Sequence, residues 1–228
     1  MQSRDGVILG VASLTPQSRK IDLVHTGSGK IVHSVDLLKG EKWTRYPKVK
    51  GLGFSYDRRL LAYEFQSLNK ASLHLYDIYK KKEIFRVDLP APIRDHNFTE
   101  IKFSKNGQFL VLSAADKKGI TLVNLHNQSV HTLNYDYSDF VGFNPDDKLI
   151  IVQSHKNRIS IFNTQTGQVT SQPFKFQTHN GRYTGAITQS ADRSILALAI
   201  RIMDPSKINQ LALINTRTGQ LLRRIGQQ

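Results

Sequence analysis

There is no cysteine among the 228 residues. That removes disulfides, thiolate zinc sites, iron–sulfur clusters and cysteine nucleophiles together. Long apolar runs are also missing, and no stretch approaches the ~18 residues that would cross a bilayer as a helix. The opening residues carry only a short apolar stretch beside Asp5, a poor match to a secretory signal, so the expected location is cytoplasmic. Glutamate is scarce: Glu41, Glu64, Glu83 and Glu100 are the whole set, and no carboxylate pair suggests glycosidase chemistry. The eight histidines form no HxxxH or HExxH pair, so no zinc site is indicated. No Gly-x-Ser-x-Gly elbow and no Gly-rich phosphate loop occurs. Acids are outnumbered, 18 against 32 Lys and Arg, leaving a formal charge of +14. Such a balance favours anionic partners and says nothing about fold.

What is present is repetition. Five segments share one grammar: Gln2-Ser3-Arg4-Asp5-Gly6, Phe54-Ser55-Tyr56-Asp57-Arg58, Phe103-Ser104-Lys105-Asn106-Gly107, Phe143-Asn144-Pro145-Asp146-Asp147 and Gln189-Ser190-Ala191-Asp192-Arg193. Their first positions are 52, 49, 40 and 46 residues apart. Each predicts a turn, because Asp and Asn close Asx-type hydrogen bonds and tolerate left-handed backbone. Each leads into a short apolar run, at 7–12, 60–65, 109–115, 149–152 and 195–200. Runs of this length bounded by turn signals read as buried strands. A second strand follows at 21–24, 73–76, 120–123, 159–162 and 211–214, ending respectively at His25, Asp77, Asn124, Asn163 and Asn215. The role expected of that polar series is local capping. A tight turn comes next, clearest in Thr166-Gly167-Gln168 and Thr218-Gly219-Gln220, and a third strand leaves it, as in 30–37, 83–89 and 220–225. A further strand precedes each of the last four turns, at 49–54, 99–103, 139–143 and 185–189. No window sustains a 3.6-residue apolar period, which excludes a fold that needs helices between strands.

Four short antiparallel strands in units of roughly 40–50 residues are the signature of propeller blades. Through the Phe-Ser-x-Asp/Asn turns and the Asn-x-x-Thr-Gly-Gln turns, nearly the whole chain resembles the WD40-like and YVTN-type β-propeller families. The Gly-His and Trp-Asp dipeptides of typical WD40 repeats do not occur. The fold expected is all-β: one propeller domain over 1–228 with about five four-stranded blades, approximately 1–38, 49–89, 98–134, 138–174 and 184–228. The first blade lacks its innermost strand. Two readings of that lack stay open, a part of a larger propeller and a small five-blade ring with one incomplete blade.

Propellers place the loops between second and third strands on the same face as the connections between blades. Those loops collect 17 Lys and Arg against six acids, most of the net charge. The partner-binding residues singled out on this face are Lys39, Lys42, Trp43, Arg45, Tyr46, Lys48, Lys50, Lys117, Lys118, Lys156, Arg158 and Arg182. In the stretch 39–50, Trp43 and Tyr46 interleave with five cations. Such aromatics stack on bases or sit at lipid headgroups, or simply fill the gap between blades. Leu222-Arg223-Arg224-Ile225-Gly226 is faintly similar to a phosphoinositide-binding Phe-Arg-Arg-Gly motif, but its extra residue and strand position read as a charged edge strand. No catalytic residue, cofactor or metal site is indicated. The function expected is a non-enzymatic protein–protein scaffold that presents a basic face to an acidic protein surface. The alternative is nucleic acid or anionic phospholipid on that same face.

Overall fold

A computed structural model describes residue 3 and residues 5–15, 19–37, 48–67, 70–89, 98–114, 118–136, 140–153, 158–169, 174–175, 181–202 and 210–226. Among these there is no helix. The first sheet has three strands: β1 (Ile8–Leu14), β2 (Arg19–His25) and β3 (Ile31–Asp36). Four sheets have four each. The second holds β4 (Lys48–Phe54), β5 (Leu60–Ser67), β6 (Lys70–Asp77) and β7 (Lys82–Asp88). The third holds β8 (Phe98–Phe103), β9 (Phe109–Ala114), β10 (Lys118–Asn124) and β11 (Ser129–Asp136). The fourth holds β12 (Phe140–Phe143), β13 (Leu149–Gln153), β14 (Arg158–Phe162) and β15 (Phe174–Lys175). The fifth holds β16 (Gly181–Gln189), β17 (Ile195–Ile202), β18 (Gln210–Asn215) and β19 (Leu221–Ile225). Every sheet is a meander, each strand bonded to its neighbour in sequence.

The repeated turns are the reason. In the first turn a serine hydroxyl donates to the Asp or Asn two places on: Ser3 to Asp5 (2.8 Å), Ser55 to Asp57 (2.6 Å), Ser104 to Asn106 (2.7 Å) and Ser190 to Asp192 (2.6 Å). The same oxygen accepts the N–H five places on, from Ile8, Leu60, Phe109 and Ile195, at 2.8–3.0 Å. The residue three places after the serine takes left-handed backbone, whether Gly6, Arg58, Gly107 or Arg193. In the fourth sheet Asn144 replaces serine. Its side-chain oxygen accepts from the N–H of both Asp146 (3.0 Å) and Lys148 (2.9 Å). The turn then closes one residue sooner: Phe143 pairs with Leu149, whereas Phe54 pairs with Leu61 and Phe103 with Leu110.

The second turn is capped by the residue that ends the second strand of the repeat. Asn163 accepts from the N–H of Gln165 (2.9 Å), Asn215 from Arg217 (2.8 Å), Asn124 from His126 (2.9 Å), Asp77 from Lys80 (2.9 Å), and His25 Nδ1 from Ser28 (3.2 Å). A threonine after the cap ties the two turns of a sheet together. Thr26 donates to the Gly6 carbonyl (2.6 Å), Thr164 to Asp147 (3.0 Å) and Thr216 to Arg193 (2.6 Å).

The described residues divide into two compact units, 1–116 with 121–130 and 117–120 with 131–228. In the first unit, alternation along β5 serves two cores. Leu61, Tyr63 and Phe65 pack with Ile21, Leu23 and Val35 of the first sheet. Ala62, on the opposite face, packs with Leu73 and Leu75 against Ile101, Leu110 and Leu112 of the third. Successive side chains of a strand point to opposite faces, so one strand can bury both. In the second unit, Ile150, Val152 and Ile159 of the fourth sheet pack on Leu196, Leu198, Ala212 and Ile214 of the fifth.

Candidate interaction surface

Each sheet has a turn end and a loop end, and their electrostatics differ. At the turn end, acids are held by their own loops and by neighbouring cations. Arg58 Nη1 lies 2.8 Å from Asp5, Arg59 Nε 3.0 Å from Asp77, and Arg217 Nε 3.1 Å from Asp146. Hydrogen bonds from Ser190 and Ser194 take the Asp192 carboxyl down to about 2. The Ser3 hydroxyl, the Val7 N–H and the Arg58 charge lower that of Asp5. Burial opposes ionisation of Asp77, but the Lys80 N–H and Arg59 outweigh it and its pKa falls. These acids are committed to the fold.

The loop end carries cations on strand termini. Arg19 and Lys20 open β2, Lys48 and Lys50 open β4, Lys70 opens β6, Lys118 opens β10 and Arg158 opens β14. Arg182 follows the first residue of β16, and Arg201 lies next to the last of β17. Of the residues singled out from sequence, Lys48, Lys118, Arg158 and Arg182 therefore stand on strands, where loops were expected, and Lys50 stands in the strand expected over 49–54. The apolar pattern marks only the buried middle of a strand, and backbone pairing runs further, as Gln66↔Ala71 and Ser67↔Lys70 show. Lys48 is exposed. Lys39, Lys42, Trp43, Arg45, Tyr46, Lys117 and Lys156 lie outside the described residues.

Two features escaped the sequence reading. Glu64, in the middle of β5, is fully buried, and neither carboxyl oxygen has a hydrogen-bond partner. Burial pushes its pKa up to about 8, with Lys50 pulling the other way. A glutamate inside Leu60-Leu61-Ala62-Tyr63-Glu64-Phe65 was the available signal. The second is a cavity of about 440 Å³ in the first unit, between β3 on one side and β6 and β7 on the other. There His33 Nε2 is 2.9 Å from the Tyr76 hydroxyl, and His74 Nδ1 is 2.6 Å from Glu83. His74 Nε2 is 2.8 Å from the Ser72 hydroxyl, and its ring stacks on Tyr63 with centroids 4.8 Å apart. Desolvation, then the nearby Lys81 charge, lowers the His33 pKa below the usual histidine range.

Among the described residues no group of three His, Cys, Asp or Glu is placed to hold a metal ion. No helix among them is long and apolar enough to cross a membrane.

No protein-family model and no curated protein matches the sequence. Solved structures do match. Hsv2 of Kluyveromyces lactis superimposes with a TM-score of 0.64 at 19% identity, covering 99% of this chain and 62% of that one. Hydrazine synthase of Kuenenia stuttgartiensis gives 0.61 at 15% identity, with 99% and 64% covered. A chain of the mitotic checkpoint complex gives 0.62 at 14%, with 99% and 62% covered. The chain thus spans less than two thirds of the length of these structures. Identities this low speak to fold alone, and the fold they show is that of a WD40-like β-propeller, with the five meander sheets as its blades.

Proposed function

We propose that this chain is a non-enzymatic propeller scaffold, a single domain over 1–228, that docks an acidic protein surface on its loop-end cations. The contrast between the two ends of the sheets carries the reading. At the turn end, Asp5, Asp77, Asp146 and Asp192 are engaged in turns and ion pairs. At the loop end, Lys and Arg open one strand after another. A field of one sign steers acidic partners and sets orientation, while the hydrogen-bonded sheets keep the surface rigid. Nothing in the described polar clusters assembles a nucleophile, base and oxyanion donors, which favours binding over catalysis.

The test is charge reversal. Lys39, Lys42, Arg45 and Lys48 are replaced together by Glu, and binding to fluorescent poly-L-glutamate and to a single-stranded RNA of equal charge is measured by anisotropy. The expected result is at least a tenfold loss of polypeptide binding. Reversal of Lys80, Lys105 and Lys148 at the turn end should leave that binding within twofold. Equal loss from both sets overturns the reading. So does RNA binding that is tighter than polypeptide binding at physiological salt and carries a steep salt slope, which would favour nucleic acid on that face.

A further inference from the structure

We infer that the cavity between β3 and the β6–β7 turn is a binding site for a small soluble organic phosphomonoester. Nothing in the proposed scaffold role calls for it. Its floor is built from the interior of the first unit. Tyr63 is almost completely buried and stacks on His74, which is itself locked by Ser72 and Glu83. The Tyr76 ring stacks on His33 with centroids 5.7 Å apart, and its hydroxyl meets the His33 ring nitrogen. Every one of these rings is held before any ligand arrives, which lowers the entropy cost of binding.

The mouth is cationic. Lys81, Lys82 and Arg86 line it together with two acids, Asp36 and Glu83, of which Glu83 is taken by His74. The Lys81 and Lys82 ammonium groups have no carboxylate partner among the described residues. Lys81 holds left-handed backbone at the position where other repeats have Gly29, Gly167 and Gly219. Gln128 takes the same conformation in the third sheet, so the position accepts a side chain, and here it carries the Lys81 ammonium to the rim of the cavity. Two adjacent ammonium groups match a dianion better than a single carboxylate. A cavity of about 440 Å³ also holds much more than one phosphate, leaving room beside the ring edges for the organic part. A mononucleotide has the required shape: a phosphomonoester at one end and a flat ring at the other.

The probe is AMP, with adenosine, inorganic phosphate, and phosphatidylcholine vesicles containing phosphatidic acid as comparison arms. Titration calorimetry on the full chain should show AMP binding, with adenosine and phosphate at least tenfold weaker. Lys81→Glu with Lys82→Glu should abolish AMP binding, while Arg223→Glu on β19, which does not line the cavity, leaves it within twofold. NMR should show the His33 pKa rising when AMP is bound, because the added dianion offsets the Lys81 charge. Equal loss in Arg223→Glu, or no change at His33, would mean diffuse charge attraction and overturns the site. Binding of the phosphatidic acid vesicles without AMP binding overturns the soluble ligand, and no binding in any arm overturns the proposal.

Discussion

Gly53 on β4 and Ile101 on β8 approach so closely that a methyl group on Gly53 would stand 2.5 Å from the Ile101 carbonyl oxygen. Two residues earlier the approach is looser, with a methyl on Gly51 meeting the Ile101 side chain at 3.1 Å. The first strands of the second and third sheets are therefore packed with no room for a β-carbon at Gly53.

Gly53→Ala should destabilise the protein by at least about 2 kcal/mol, because backbone and not a flexible side chain must move. Gly29→Ala, where a β-carbon meets nothing within 4 Å and only the left-handed backbone is penalised, should cost about 1 kcal/mol. Urea unfolding of the two variants side by side checks the order. Equal losses would mean that the close approach is not there.

The buried carboxyl of Glu64 gives stability a pH dependence. Its pKa is raised from 4.5 to about 8 in the folded protein. Between those values the folded chain holds a proton that the unfolded chain has released. This contribution is therefore full below about pH 4.5 and declines as pH rises toward 8. The loss amounts to roughly 5 kcal/mol if the whole shift is expressed. Urea midpoints followed over this range should fall in the wild type. In Glu64→Gln that slope should be absent, whereas an unchanged slope would place the titration elsewhere.

The turn serines differ in burial. Ser104 is fully buried, donating to Asn106 and accepting from Phe109, while Ser190 is half-buried, its bond to Asp192 exposed and the one it accepts from Ile195 only partly buried. Ser104→Ala leaves a buried N–H unsatisfied and should cost about 1–3 kcal/mol. Water replaces the lost partner in Ser190→Ala, which should cost no more than about 1 kcal/mol. Thermal or urea unfolding of both variants tests the ranking.

Gln128 sits at φ 59 and is exposed, in the repeat position where Gly167 has φ 75. Gln128→Gly should raise stability by about 0.5–1 kcal/mol, the relief of left-handed strain outweighing the added freedom of the unfolded chain. Gly167→Ala should lower it by about 1 kcal/mol. A drop in the unfolding midpoint for Gln128→Gly would contradict this.

The sheets were legible from sequence because their determinants are local. Ser104, Asn106 and Gly107 form their turn within six residues of chain, through Phe109, and Asn163 caps the next turn type from two residues away. The capping role expected of His25, Asp77, Asn124, Asn163 and Asn215 is what the hydrogen bonds show. Strand ends were less legible. Lys48 and Arg158 pair through their backbones while their side chains follow no apolar pattern, and pairing depends on a partner strand rather than on side-chain polarity.

The amino-acid order alone determined the meander of short strands, its repeat and its two turn types, since each rests on contacts between residues a few places apart. Only the tertiary structure decided that Glu64 is sealed without a partner, that Gly53 faces the Ile101 carbonyl, and that His33 meets Tyr76 across 43 positions. Those relationships arise where the face of one sheet packs on another. Sequence spacing leaves them unspecified, because face-to-face packing joins residues by geometry and not by their separation along the chain.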